Sequence, residues 1–341
     1  MQNAIFTGTH GNYHIQGIAV DPAKGYIYYS FTTQLIKARL DGTIVGSVQG
    51  LHGHLGCIDF NEADGKVYGS LEYKNDIIVT GMHQDLGISL PPENAFYITV
   101  FDVDKIDRLN MDAERDGVMT AVYLPTVVED YDGTGTNLAG ETVPHRYGCS
   151  GIDGTAFGPM PGAADDKQYL FVAYGIYSDM TRGDNDHQVL LCYDTSDWSS
   201  YAQPLQQTNM HHSGPRQPLE KFFVYTGNTT YGVQNLEYDR YTHGYFMAVY
   251  PGVKPQFPNC PLMQIDASVP PIKSPLTGLD ETGMCLALKT TNWRFPHGST
   301  GLYAYGDGRY LISQNYMART GQCGLILPYV YDEKHGFVLD V

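Results

Sequence analysis

The chain predicts an all-β fold, on three observations. Glycine and tyrosine are abundant, 38 and 27 of 341 residues, a bias that suits tight turns between β-branched and aromatic strands. Short apolar runs alternate with polar turns along the whole length, as in HIQGIAVDPAKGYIYYS. Few stretches keep a 3.6-residue apolar period long enough for a helix. Hydrophobic residues make up 42% and charged residues 17%, the balance of a chain that buries a core. That length supports one large domain, and residues 1–341 are read as one unit.

The elements repeat. Aligned on the glycine of the first turn, GIAVDPAKGYIYYSF superposes on CIDFNEADGKVYGSL, which sets Ile18 on Ile58 and His14 on His54. Three further segments have the same strand–turn–strand form: GTAFGPMPGAADDKQYLFVAYG, NLEYDRYTHGYFMAVYPG and GLYAYGDGRYLISQNY. A third strand follows each pair, as QLIKARLD, AFYITVFDVD, QVLLCYDTSD, PLMQIDAS and GLILPYVYDE. Fourth strands are IVGSVQG, MTAVYLP, KFFVYTG and MCLALKT. The fifth unit has no clear fourth strand of its own. NAIFTGTHGNYHIQGIAVD parallels KFFVYTGNTTYGVQNLEYD, so the N-terminal strand is expected to complete the last unit. Such closure into a ring removes two open sheet edges. HGFVLDV near the C-terminus competes for that place or adds to it.

The phrase HIQGIAVDPAKGYIYYS resembles the strand repeats of β-propellers of the NHL and gluconolactonase-like type. The resemblance implies a single β-propeller, and the five units imply five blades. The alternative is a six-bladed ring with a degenerate blade within residues 103–150 or 195–220. Five-bladed families include arabinanase-like and fructosidase-like glycosidases, a calcium-dependent nucleotidase and a lectin. No catalytic motif of these families matches the sequence.

Composition narrows the partners. The net charge of −16 argues against nucleic acid and anionic membranes, both of which need a basic surface. A few local cations could still hold an anionic substrate. The six cysteines are scattered without a CxxC pair, and Cys57, Cys192 and Cys285 lie in apolar runs as small core residues. No signal peptide or membrane-length apolar run is visible. The sequence as written reads as cytoplasmic and bacterial in type, and leaves a secreted mature form open. No GxxxxGK[ST] or GxSxG motif occurs, which disfavours P-loop and α/β-hydrolase readings; no nucleotide or flavin cofactor is expected.

Propeller geometry places the start of each first strand and the end of each second strand on one face. Just before the first strands stand His14, His54, His145 and His297, with Tyr231 in the fourth unit. At the strand starts themselves Gln16, Gly56, Asp153, Gln234 and Thr300 correspond and are expected to face the axis. The second strands end in Thr32, Glu72–Lys74, Tyr174, Tyr250 and Tyr316, with Arg319 beyond. The loops on this face are long and those opposite are short, so this face is expected to carry the pocket.

Converging imidazoles can bind a transition metal, and a lone one can act as a base near neutral pH. The expected metal ligands are therefore His14, His54, His145 and His297, for Mn or Zn. The expected catalytic set adds Tyr174, Tyr231, Tyr316 and Glu72. Arg146, Lys74, Arg319, Gln16, Gln234 and Asp153 are the expected substrate contacts. Residues 130–141, DYDGTGTNLAGE, put Asp130, Asp132, Thr134 and Glu141 at the spacing of a calcium loop, with Thr134 where Asp or Asn is usual.

These readings converge on a carbohydrate-active enzyme, a lyase or hydrolase that cleaves a glycosidic bond in an oligo- or polysaccharide. The favoured chemistry is a His/Tyr-dependent elimination, assisted by a divalent metal. Two alternatives stand beside it. One is a non-catalytic propeller that binds a sugar or a protein. The other is a calcium-dependent lactonase-like or nucleotidase-like hydrolase with Glu72, Asp153, Gln16 and Gln234 at the axis.

Overall fold

The structure is a computed structural model that describes residues 4–90, 93–289, 294–332 and 334–340. The repeats fold as five antiparallel sheets. Blade 1 comprises Ile15–Asp21, Tyr26–Phe31, Gln34–Arg39 and Ile44–Gln49, with Met111–Asp112 added in parallel at its edge. Blade 2 comprises His54–Asn61, Lys66–Tyr73, Ala95–Phe101 and Met119–Tyr123. Blade 3 comprises Cys149–Pro159, Gln168–Ile176, His187–Tyr193 and Glu220–Tyr225, and blade 4 Thr229–Asp239, Gly244–Pro251 and Leu262–Asp266. Blade 5 comprises Leu302–Ala304, Arg309–Ala318 and Gly321–Asp332.

The first strands of neighbouring blades pack on one another in a closed circle, 1 to 2 to 3 to 4 to 5 and back to 1. The apolar clusters follow the same circle. Tyr28 and Leu71 meet between blades 1 and 2, Phe96 and Tyr174 between 2 and 3, and Phe171 and Met247 between 3 and 4. Phe246 and Tyr310 join blades 4 and 5, while Ile18 and Ile326 join 5 and 1. Strands buried on both faces read as apolar runs rather than alternating ones, as in YIYYSF and AFYITVF. The molecule is a five-bladed β-propeller. Residues 103–150 and 195–220 hold edge strands, short helices and a small hairpin, Thr134–Thr136 with Thr142–Pro144, not a sixth blade.

Ring closure follows the expected route. Ile5–Thr9 pairs antiparallel with Gly321–Asp332, Ile5 opposite Ile326. Gly336–Leu339 takes the remainder of the same edge, Tyr329 opposite Leu339, so the C-terminal segment adds to the N-terminal strand rather than displacing it. The expected fourth strand MCLALKT is corrected: it is divided between two blades. Thr282–Cys285 joins Glu220–Tyr225 of blade 3 in parallel, and Ala287, Leu288 and Lys289 pair with the third strand of blade 4. Thr290 of that segment and Glu333 of GLILPYVYDE lie outside the described residues. Two helices are additional to the expected elements, α1 (Ile77–Leu86) and α2 (Pro125–Tyr131).

Candidate active site at the propeller axis

Four of the first strands slip register against the second strand at the same place. The shifts fall at Ile15/Gly17, Leu55/Ile58, Ile152/Thr155 and Val233/Asn235. A β-bulge bends the strand and re-aims a side chain. The residues caught in these bulges include Gln16, Gly56, Asp153 and Gln234, the positions that correspond in the repeat. Gln16, Asp153 and Gln234 all line one axial cavity of about 280 Å³.

Below the cavity the axis is closed by side chains that satisfy inner-strand carbonyls, as buried backbone requires. Ser30 Oγ donates to Gly56 O (2.7 Å), Ser70 Oγ to Asp153 O (2.7 Å) and Asn235 Nδ2 to Gln16 O (2.8 Å).

Two carboxyl groups sit in the cavity wall. Glu72, at the end of the second strand of blade 2, has Lys74 Nζ 2.5 Å from Oε1 and accepts the Ile152 N–H at Oε2 (3.1 Å). Lys74 also donates to Ser150 O (2.6 Å) and lies 3.6 Å from Asp76. Asp153 Oδ2 accepts from Gln234 Nε2 (3.1 Å), while its buried Oδ1 has no partner. Two glycines make room for these groups. A Cβ at Gly151, whose φ is 123°, would strike Glu72 Oε2, and one at Gly56 would strike Asp153 Oδ1.

Burial pushes both carboxyl groups above their ordinary range, and the Lys74 ammonium and the Ile152 N–H draw Glu72 back. Asp153 is pushed up well above its ordinary value by burial and then by the Glu72 charge. Lys74 is raised as well, by its two carboxylate neighbours acting against burial. The Lys74 ammonium thus favours the ionised form of Glu72, whereas Asp153 has no such cation and the Glu72 charge disfavours its ionisation.

His54 stands between these groups and the amide pair. Gln16 Nε2 donates to Thr32 Oγ1 (3.0 Å) and to His54 Nε2 (3.1 Å). Because Nε2 accepts, the network assigns the His54 proton to Nδ1, which is buried, without a hydrogen-bond partner, and 3.8 Å from Glu72 Oε1. Burial and the Lys74 charge lower the His54 pKa to about 3, so the ring stays neutral.

Of the residues expected from sequence, the structure brings His14, His54, Glu72, Lys74, Asp153, Gln16, Gln234 and Tyr231 to the cavity. His14 is held by a hydrogen bond between Nδ1 and Ile15 O (3.0 Å). Thr32 and Tyr250, at second-strand ends, also line it.

The other expected residues lie elsewhere, which corrects the four-histidine cluster. His145 hydrogen-bonds Tyr131 O (2.6 Å) and packs between the rings of Tyr131 and Tyr177. His297 packs on Phe295. Tyr174 is core, its hydroxyl donating to Asp130 (2.7 Å). Tyr316 is exposed and donates to Gln314 (2.5 Å). Arg146 pairs with Glu281 (2.7 Å). Arg319 is exposed at the turn after Arg309–Ala318.

The calcium-loop reading is corrected too, because helix and hairpin geometry send its side chains apart. Asp130 lies in α2 and binds Tyr174 and Lys221. Asp132 accepts from Asn94, Thr134 begins the hairpin, and Glu141 accepts from Asn137. Among the described residues no three His, Cys, Asp or Glu side chains are grouped to hold a metal ion.

Sequence reasoning missed the roof of the cavity. Val79 and Met82 of α1 reach it, and Tyr13 joins it on the facing loop. Asp76 accepting the Val79 N–H (2.9 Å) is a helix-start signal that could have located α1. The other missed signal is Gly151, in the inner strand of blade 3.

Fold and cavity together define the class: a five-bladed β-propeller with a carboxyl-bearing axial pocket. No protein-family model and no curated protein matches the sequence. Among solved structures the chain is similar to a GH43 β-1,3-galactosidase determined with galactodeoxynojirimycin, at 9% identity over 98% of each chain, TM-score 0.40. It is also similar to the holo PQQ domain of pyranose dehydrogenase from Coprinopsis cinerea, at 15% identity over 91% of this chain and 81% of that one, TM-score 0.35. A third similar structure is a functionally unknown protein from Desulfotomaculum acetoxidans, at 10% identity over 96% of this chain and 69% of that one, TM-score 0.35.

Proposed function

We propose that the chain hydrolyses a glycosidic bond in the axial cavity, with Asp153 as general acid and Glu72 as the ionised carboxylate. One observation carries this reading: two carboxyl groups share a cavity, and a lysine is bound to only one of them. Surroundings that separate the protonation states of two carboxyl groups make an acid and a base of them. Asp153 gives its proton to the leaving oxygen as the bond to the anomeric carbon breaks. Glu72 offsets the positive charge that develops on the ring and directs the attack of water. His54 positions a hydroxyl group of the sugar, and Gln16 and Gln234 hold His54 and Asp153 in place. This mechanism replaces the His/Tyr elimination expected from sequence, because His145, Tyr174 and Tyr316 lie outside the cavity.

The test is a panel of aryl glycosides assayed with wild type and Asp153→Asn. Loss of a general acid costs about 10²–10⁴-fold in rate, and the loss should be smaller for a dinitrophenyl leaving group, which needs no proton. Equal losses for poor and good leaving groups would remove Asp153 from the acid role. Unchanged turnover in both Asp153→Asn and Glu72→Gln would defeat the reading altogether.

A further inference from the structure

We infer that the sugar unit bound in the axial cavity is uncharged, and that the site discriminates against uronic acids. This inference rests on the glycosidase reading and names its substrate class.

The argument is an inventory of donors and charge. A bound carboxylate needs a cation or several free N–H groups. Lys74 supplies neither. Two of its three protons go to Glu72 Oε1 (2.5 Å) and Ser150 O (2.6 Å), and Asp76 Oδ2 stands 3.6 Å away, so two carboxylates already offset its charge. Among the described residues no other lysine or arginine lines the cavity. Arg146 is committed to Glu281, and Arg319 lies on the exposed turn. The Gln234 amide is spent on Asp153 and on Tyr231 O (2.9 Å), and the Gln16 amide on Thr32 and His54.

Three buried polar atoms of the cavity lining have no hydrogen-bond partner: His54 Nδ1, a donor, and the oxygens Asp153 Oδ1 and Gln322 Oε1. A hydroxyl group can accept from the first and either donate to or accept from the second. A carboxylate can only accept, and it would also face the charge of the buried Glu72, where like charges repel more strongly than in water. Tyr13, Tyr231, Tyr250 and Met82 supply apolar surface for the C–H face of a pyranose ring. The cavity therefore suits a neutral, hydroxyl-rich ring and offers no counter-ion to an acidic one.

The experiment is calorimetric titration of the full chain at pH 7 with matched pairs: glucose and glucuronate, galactose and galacturonate. Hydrolysis of the corresponding p-nitrophenyl glycosides and uronides is assayed in parallel. In at least one pair the neutral sugar should bind about tenfold or more tightly than its uronate. Gln322→Arg, which adds a cation to the cavity wall, should shrink that ratio by about threefold or more. A uronate that binds as well as its neutral partner overturns the inference and leaves the glycosidase reading standing. No binding by either class, with no glycoside turned over, overturns both.

Discussion

Each end of the propeller axis carries two carboxyl groups, one buried and one half-buried, and only one pair is attended by a lysine. At the decorated face Glu72 has Lys74 at 2.5 Å, and Asp153 has an amide and a bare oxygen. At the opposite face a cavity of about 190 Å³ is lined by Asp59 and Glu237. There Asp59 accepts the N–H groups of Phe157 (2.6 Å) and Phe60 (2.7 Å), and Glu237 accepts that of Ala304 (2.7 Å). Among the described residues neither makes an ion pair. Burial raises Asp59 to about 7, and burial together with the Asp59 charge raises Glu237 well above its usual range. All four groups are raised by burial, but at the decorated face a lysine stabilises the charge of one of the two. Two carboxyl groups become an acid and a base only when something distinguishes them.

The largest expected effect lies in catalysis. Asp153→Asn should lower turnover by about 10²–10⁴-fold, while Glu237→Gln, which keeps an acceptor for the Ala304 N–H, should leave turnover unchanged. A comparable loss in both variants would erase the distinction between the ends. Next in size is stability. Lys74→Met strands a buried Glu72 charge and should cost about 3–5 kcal/mol, read as a fall in thermal midpoint. The double variant Glu72→Gln/Lys74→Met should recover part of that loss.

Smaller effects concern pH. The rate should rise as Glu72 loses its proton and fall as Asp153 loses its own. Burial raises both pKa values, so both limbs should lie above the ordinary carboxylate range, and Asp153→Asn should remove the alkaline limb. At the other end, the folded chain keeps a proton on Asp59 that the unfolded chain releases near pH 4. That contribution to stability is present below pH 4 and is lost as pH rises to about 7. Wild type should therefore lose stability relative to Asp59→Asn across that window, measured by denaturation at a series of pH values. A pH-independent difference would show that Asp59 is ionised throughout.

The ring was legible because its signals are local and repeated. The turn glycines of the first two blades, Gly25 and Gly65, both adopt a φ of 69°, and a short polar turn between two apolar runs needs no distant information. The axial positions of Gln16, Asp153 and Gln234 were legible for the same reason, since they correspond in the repeat. The histidines were not. His14 directly precedes its strand and His54 begins its own, but His145 enters through a short helical turn with φ 66° and is drawn into the Tyr131–Tyr177 stack. MCLALKT carries the apolar pattern of a strand without saying which blade it joins, and its two halves find different edges. The calcium spacing of residues 130–141 failed because ligand spacing fixes a site only when the backbone forms one loop. Here α2 and a hairpin divide it. The pairing of Lys74 with Glu72 was legible as proximity only; its exclusive character depends on Ser150, brought in from blade 3.

The shared edge of the last blade also bears on how the chain is made. Ile5 leaves the ribosome 321 residues ahead of its partner Ile326. At ~5–20 residues per second that is a wait of tens of seconds. During it the first strand has an open edge, and the core between blades 5 and 1 lacks one wall. Four blades can pack as they emerge, whereas the ring can close only after translation has passed residue 326. A chaperone that shields an unpaired strand would find its work at Ile5–Thr9.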